Sequence, residues 1–224
     1  MEKLVKHGDL MPLYLTALLI CLTGYLLGSL NSAILVTRLL RLKDVRQQGS
    51  GNAGMTNMLR VYGKKAALLT VLGDMGKAIL AVIIARLIFR LAVSPLLLDP
   101  GYLTGLFVLI GHIFPVYFAF RGGKGVMPAL GIILWVNPLA FLILLFLAVP
   151  IYFLSRTMSV VSLINTLLLP VVTWLLSFMR HQEPLYDTGI TILFAVLVIW
   201  SHRENIRRLF RGEEKKIDSG APGK

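Results

Sequence analysis

Six long apolar runs joined by short polar strings make up most of the chain: about Leu10 to Leu30, Ala66 to Val93, Tyr102 to Phe120, Val126 to Leu154, Met158 to Met179 and Thr188 to Trp200. Runs this long and this poor in charge read as membrane-crossing helices. The charges between them oppose a count of six. Arg41, Lys43, Arg46, Arg60, Lys64 and Lys65 fix the first polar loop on the cytoplasmic side, and six spans then leave the basic tail (Arg203, Arg207, Arg208, Arg211, Lys215, Lys216) on the other. Asn137-Pro138 resolves the conflict by dividing the fourth run, since proline lacks a backbone donor and disfavours helix in the residue before it. The expected fold is an all-α polytopic membrane protein with seven transmembrane helices, N-terminus periplasmic and C-terminus cytoplasmic. Each half of the divided run is shorter than the roughly 20 residues a crossing normally needs, so some spans are short.

Composition supports this class: 56% of residues are hydrophobic and 15% charged, with a mean hydropathy of +0.76, too little charge to cover a soluble surface. The net charge of +12 gathers beside the apolar runs, the pattern of anchoring near anionic lipid; membrane lipid is the expected partner and nucleic acid is not. A lone cysteine, Cys21, allows no internal disulfide and no cysteine metal site. The first run continues past Gly28 without an A-x-A-like site and is expected to remain as a helix. Residues 1–224 read as a single integral-membrane domain without internal repeats, in which about 212–224 form a mobile polar tail.

Against this background two glycine-rich strings point to chemistry. In GSGNAGMTN (Gly49 to Asn57), Gly49, Gly51 and Gly54 let backbone amides approach an anion, Ser50, Asn52, Thr56 and Asn57 add side-chain donors, and Arg46 or Arg60 supplies charge. A helix beginning near Thr56 would aim its free amides at the same anion and carry Arg60 on the face of Thr56. The second string, Arg121-Gly122-Gly123-Lys124-Gly125, taken alone is more often a turn. Neither fits the G-x-x-x-x-G-K-[ST] pattern, which removes support for nucleotide hydrolysis.

A third cluster, His202 to Arg208, continues the last run. His202 and Asn205 share a helical face with Leu209, and the arginines read more simply as a snorkelling helix end. Asp74 and Lys77, three apart within a span, neutralise each other and either hold the structure or line a polar cavity. His112, Ser159 and Ser162 are further candidates for that cavity. Gly24-x-x-x-Gly28 reads as a close-packing helix face. The charge-based topology puts all four polar clusters on the cytoplasmic side, as a composite active site requires. No Ser-His-Asp order, carboxylate pair or metal-ligand cluster emerges, so no metal or cofactor is expected and the chemistry rests on binding and charge stabilisation.

These strings, in this order, carry a family resemblance: YLLGSLNSA (Tyr25 to Ala33), DVRQQGSGNAGMTNMLRVYGKKA (Asp44 to Ala66), GDMGKA (Gly73 to Ala78), GHIFPVYFAFRGGKGV (Gly111 to Val126) and HRENIRRLF (His202 to Phe210). The chain resembles the PlsY family of bacterial acyl-phosphate:glycerol-3-phosphate acyltransferases over nearly its whole length. Met127-Pro128 and Met158 depart from the family's usual residues and bear on the substrate tunnel. The resemblance implies seven helices in the bacterial inner membrane, a cytoplasmic active site, and conversion of acyl phosphate and glycerol 3-phosphate to lysophosphatidic acid and phosphate. By the same resemblance Ser50 and Arg60 lie with the reacting phosphate, and the glycines with Asn52 and Asn57 hold glycerol phosphate. Lys124, the His202 and Asn205 pair, and the Ser159 and Ser162 pair match the remaining motifs. Contacts with other lipid-synthesis enzymes are left open. A transporter of phosphorylated solutes is the rival class, opposed by the lack of matching halves and by motifs gathered on one face. A membrane subunit without chemistry is the third.

Overall fold

The computed structural model describes residues 12–90, 99–180 and 184–216. Residues 1–11, 91–98, 181–183 and 217–224 lie outside the description, and with them the ends of the first two expected runs and the SGAPGK terminus. Among the described residues the chain is helical without strands: α1 Leu13–Gly28, α2 Ser32–Leu39, α3 Met55–Phe89, α4 Pro100–Ile113, α5 Val126–Val136, α6 Pro138–Ser155, α7 Met158–Met179, α8 Leu185–Ser201 and α9 Arg203–Phe210.

Among the described residues four helical segments are long and apolar enough to cross a membrane, or up to six if the bent pairs α1–α2 (41°) and α8–α9 (60°) each count once. The break at Asn137-Pro138 is present, and Asn137 Oδ1 caps α6 by accepting from the Ala140 amide at 3.3 Å. Its upstream half, α5, has 11 residues and at 1.5 Å per residue is only about 16 Å long. α6 is the bare helix: 11% of its most apolar window is buried, against 61% for α4 with the turn that follows it. α6 therefore faces lipid and α4 is central.

Small residues set the central contact. A Cβ on Gly24 would lie 2.5 Å from the Thr104 carbonyl oxygen, and one on Gly28 2.3 Å from that of Val108, so α1 and α4 touch backbone to backbone along the expected glycine face. Thr104 Oγ1 bridges the same pair by donating to the Ile20 carbonyl at 3.0 Å.

The break between α1 and α2 frees backbone groups inside the bundle, and α3 satisfies them. Lys77 Nζ donates to the carbonyls of Gly28 (2.9 Å) and Leu30 (2.6 Å), while Asp74 Oδ1 accepts from the Ser32 amide at 3.3 Å. The cation thus sits at a helix carboxyl end and the carboxylate at a helix amino end, each matching the local dipole. The two side chains pair with each other at 3.0 Å, and His112 Nδ1 lies 3.0 Å from Lys77 Nζ.

α3 is itself broken. Gly63 takes φ 79° and ψ −173°, separating a short first segment, with Thr56, Asn57 and Arg60, from the long apolar part.

Candidate active site

The 44–54 loop is built around one side chain. Asn57, 2% exposed, donates from Nδ2 to the carbonyls of Val45, Gln48 and Asn52 and accepts on Oδ1 from the Ser50 amide at 2.9 Å. Its polar atoms are committed to holding the loop, so Asn57 positions the string where a ligand-binding donor was expected. Gly49 follows from this: φ is +59°, and a Cβ there would lie 2.3 Å from Asn57 Oδ1. Arg46 is engaged elsewhere. Its guanidinium binds Asp44 (2.7 Å) and the Phe118 carbonyl (3.0 Å), away from the cavity, and its hydrogen bond holds the Asp44 carboxyl below the usual range.

The GGKG string uses its glycines differently from the expectation. The Gly122 and Gly123 amides donate to the Ile113 and His112 carbonyls at 3.2 and 3.1 Å, and a Cβ on Gly122 would overlap the His112 carbonyl oxygen. These amides therefore dock the loop onto the end of α4 and are not free for an anion. Gly125, at φ +86°, caps α5 and lines the cavity.

A cavity of about 500 Å³ joins these loops. Its polar end gathers Gly49, Ser50, Asn52, Gly54, Thr56, Arg60, Lys124, Ser159, Ser162, His202 and Asn205, together with a side of Asn57 and of His112; Gly51 lies outside its walls. The rest of its lining is mainly apolar: Leu130 and Ile133 of α5, Leu144, Leu145 and Ala148 of α6 and Leu169 of α7, with Asn165 and Thr166 of α7 as polar exceptions. Asn52 Oδ1 is buried with no hydrogen-bond partner among the described residues.

At the polar end Lys124 Nζ donates to Asn205 Oδ1, and Asn205 Nδ2 donates to Ser159 Oγ at 2.7 Å. Burial pushes the Lys124 ammonium down to about 8; the Glu214 carboxylate opposes that shift, and the Arg208 and Arg60 guanidiniums add to it. Ser201 Oγ holds the Lys124 carbonyl at 3.0 Å, tying α8 to the loop. His202 Nδ1 lies 2.7 Å from the Val198 carbonyl, which only accepts, so Nδ1 carries the hydrogen and Nε2 is the remaining nitrogen. His112 is held by Lys77 through Nδ1 and belongs to the bundle's buried ion cluster as much as to the cavity.

Two residues here escaped the sequence. Arg203 stacks on Trp200 and Arg207 pairs with Glu204, in keeping with a snorkelling helix end. Arg208 instead lines the cavity, completing the His202, Asn205 stripe at i+6 where Leu209 was expected. Glu214, at the start of the stretch expected to be a mobile polar tail, is held by the fold: its carboxylate accepts from Ser159 Oγ, from Asn205 Nδ2 (2.6 Å) and from Arg208 Nε (2.7 Å). The i+6 spacing was the available signal for Arg208; a lone acid in a polar terminus gave none.

Comparison with known proteins agrees with the geometry. The profile of the family described as glycerol-3-phosphate acyltransferase matches residues 18–212. A glycerol-3-phosphate acyltransferase from Pseudomonas fluorescens is 44% identical over 198 residues, 88% of this chain and 97% of the relative; one from Pseudomonas putida is 42% identical over the same span. The crystal structure of PlsY, an integral membrane glycerol 3-phosphate acyltransferase, in its glycerol 3-phosphate form superposes with a TM-score of 0.77 at 32% identity, covering 91% of this chain and 96% of that one. The lysophosphatidic acid form of that protein gives 0.76.

Proposed function

Because the chain belongs to the glycerol-3-phosphate acyltransferase family, we infer that its cavity is where an acyl group passes from acyl phosphate to the 1-hydroxyl of glycerol 3-phosphate, giving lysophosphatidic acid and phosphate. One observation carries this reading: a single cavity joins a cationic, donor-rich end to an apolar end beside lipid-facing α6. That shape suits a substrate pair of two phosphates and one acyl chain.

An acyl phosphate already has a good leaving group, so the work is to hold two anions together, align hydroxyl and carbonyl, and stabilise the growing negative charge. Lys124 and Arg60 offset the repulsion between the phosphates, and Ser50 and Asn205 orient oxygens. Thr56 and the loop backbone at Gly49 and Gly54 border the acceptor, and the unpartnered Asn52 Oδ1 suits a glycerol hydroxyl. Ser159 and Ser162 stand where the polar end meets the apolar walls.

The acceptor hydroxyl must lose a proton. His202, with Nδ1 held by Val198, offers Nε2 when neutral; the departing phosphate is the alternative acceptor. His202→Gln is expected to lower kcat by about 10²-fold and to flatten the acid limb of its pH profile. Retention of most turnover with an unchanged profile removes His202 as the base.

Seven spans suit the charges best, with α1–α2 and α8–α9 each one crossing and α5 a short one. With the basic loops inside, as the positive-inside rule favours, the active site lies on the cytoplasmic face of the bacterial inner membrane. The test of the whole reading is direct. Purified protein in detergent, given palmitoyl phosphate and glycerol 3-phosphate, is expected to release phosphate and form lysophosphatidic acid; a transporter or a silent subunit releases none.

A further inference from the structure

We propose that Glu214 is an internal competitor for the phosphate-bearing substrates: its carboxylate occupies a phosphate subsite formed by Ser159, Asn205 and Arg208, and substrate binding displaces it. The inference rests on the reading of the cavity as a phosphate site.

Among the described residues the Glu214 carboxylate is bound by three donors. Oε1 accepts from the Ser159 hydroxyl and the Asn205 amide, and Oε2 from the Arg208 guanidinium. Asn205 joins this set to Lys124, whose ammonium donates to its Oδ1. A hydroxyl, a carboxamide and a guanidinium with an ammonium one bond away form an array for an anion of several oxygens. A carboxylate fills it with two oxygens and one charge, whereas a phosphate monoester brings three oxygens and close to two charges.

The chain is shaped to deliver the carboxylate. Gly212, at φ +69°, turns the backbone just beyond α9, and the Glu213 amide closes the turn on the Arg208 carbonyl at 2.8 Å. The side chain of Glu214 is left only 10% exposed although it stands in a polar terminal segment. Burial raises the Glu214 carboxyl, and hydrogen bonds from Ser159, Arg208 and Asn205 outweigh it, holding the group below its ordinary value and ionised at neutral pH. Phosphate and carboxylate cannot share these donors, because two anions at that spacing repel. Arg208 thereby becomes a substrate-contacting residue once Glu214 has left.

The test is titration of inorganic phosphate into the purified full-length protein in detergent, without acyl donor. Glu214→Ala is expected to bind phosphate about ten-fold more tightly than the unmodified protein, with Glu214→Gln intermediate because its amide keeps part of the hydrogen bonding. Adding Arg208→Gln to Glu214→Ala should abolish the gain, and Glu213→Gln, at the exposed neighbour, should match the unmodified protein. In turnover, KM for a phosphate substrate should fall in Glu214→Ala by more than kcat changes. Phosphate affinity in Glu214→Ala equal to or weaker than in the unmodified protein overturns the proposal. The titration needs no catalysis, so a protein inactive in the phosphate-release assay would sink the functional reading while leaving the Glu214 result readable.

Discussion

Replacing Lys124 with methionine is expected to lower kcat/KM for acyl transfer by about 10²- to 10³-fold, the size of effect seen when a preorganised charge-stabilising group is removed. Methionine keeps the length and apolar stem, so packing against the loop survives and the lost charge is isolated. The same residue predicts a pH dependence. With its folded value at about 8, Lys124 is charged below that pH and neutral above it; the charged form is the one that binds phosphate. KM for glycerol 3-phosphate in the unmodified enzyme should therefore rise as pH increases through about 8, and more steeply in low salt. Lys124→Arg stays charged over that range. Its activity should be lower, because a guanidinium fork does not reproduce a compact ammonium, but free of that rise. A rise of equal size in Lys124→Arg would assign the titration to another group.

The second large effect concerns stability. Lys77→Met is expected to destabilise the folded protein by about 3 to 5 kcal/mol, since it leaves the buried Asp74 carboxylate without its cation. The loss should appear as a lowered Tm and a reduced yield from the membrane. A buried pair can often be exchanged for apolar residues at little cost, but not here: Lys77 also satisfies the Gly28 and Leu30 carbonyls, and Asp74 the Ser32 amide. The double variant Asp74→Leu with Lys77→Met should therefore remain clearly less stable than the unmodified protein. Full recovery in the double variant would show that the α1–α2 break does not need them.

The gross arrangement was legible because lipid imposes a simple demand: apolar length between charged loops. The proline at 138 marked the α5–α6 break, and Gly24 with Gly28 marked the α1–α4 contact, since each acts through local backbone sterics. The meeting of Ser50, Arg60, Lys124 and Asn205 in one cavity was legible from loops sharing a side. What sequence could not convey was which donors were already taken. Asn57, Arg46, Gly122 and Gly123 look like anion ligands by residue type, yet their polar atoms are satisfied within the protein by partners up to 72 residues away. Glu214 was invisible for the same reason, its importance arising wholly from a turn that returns it to Asn205.

Gly63 has a wider consequence. Its backbone conformation is one that residues with a side chain rarely adopt, although a Cβ there would meet no atom within 4 Å, so glycine is required by torsion and not by space. The short segment carrying Arg60 is thereby turned off the axis of the long apolar part of α3, so the direction of the guanidinium is set at Gly63 and not by the tilt of that longer part.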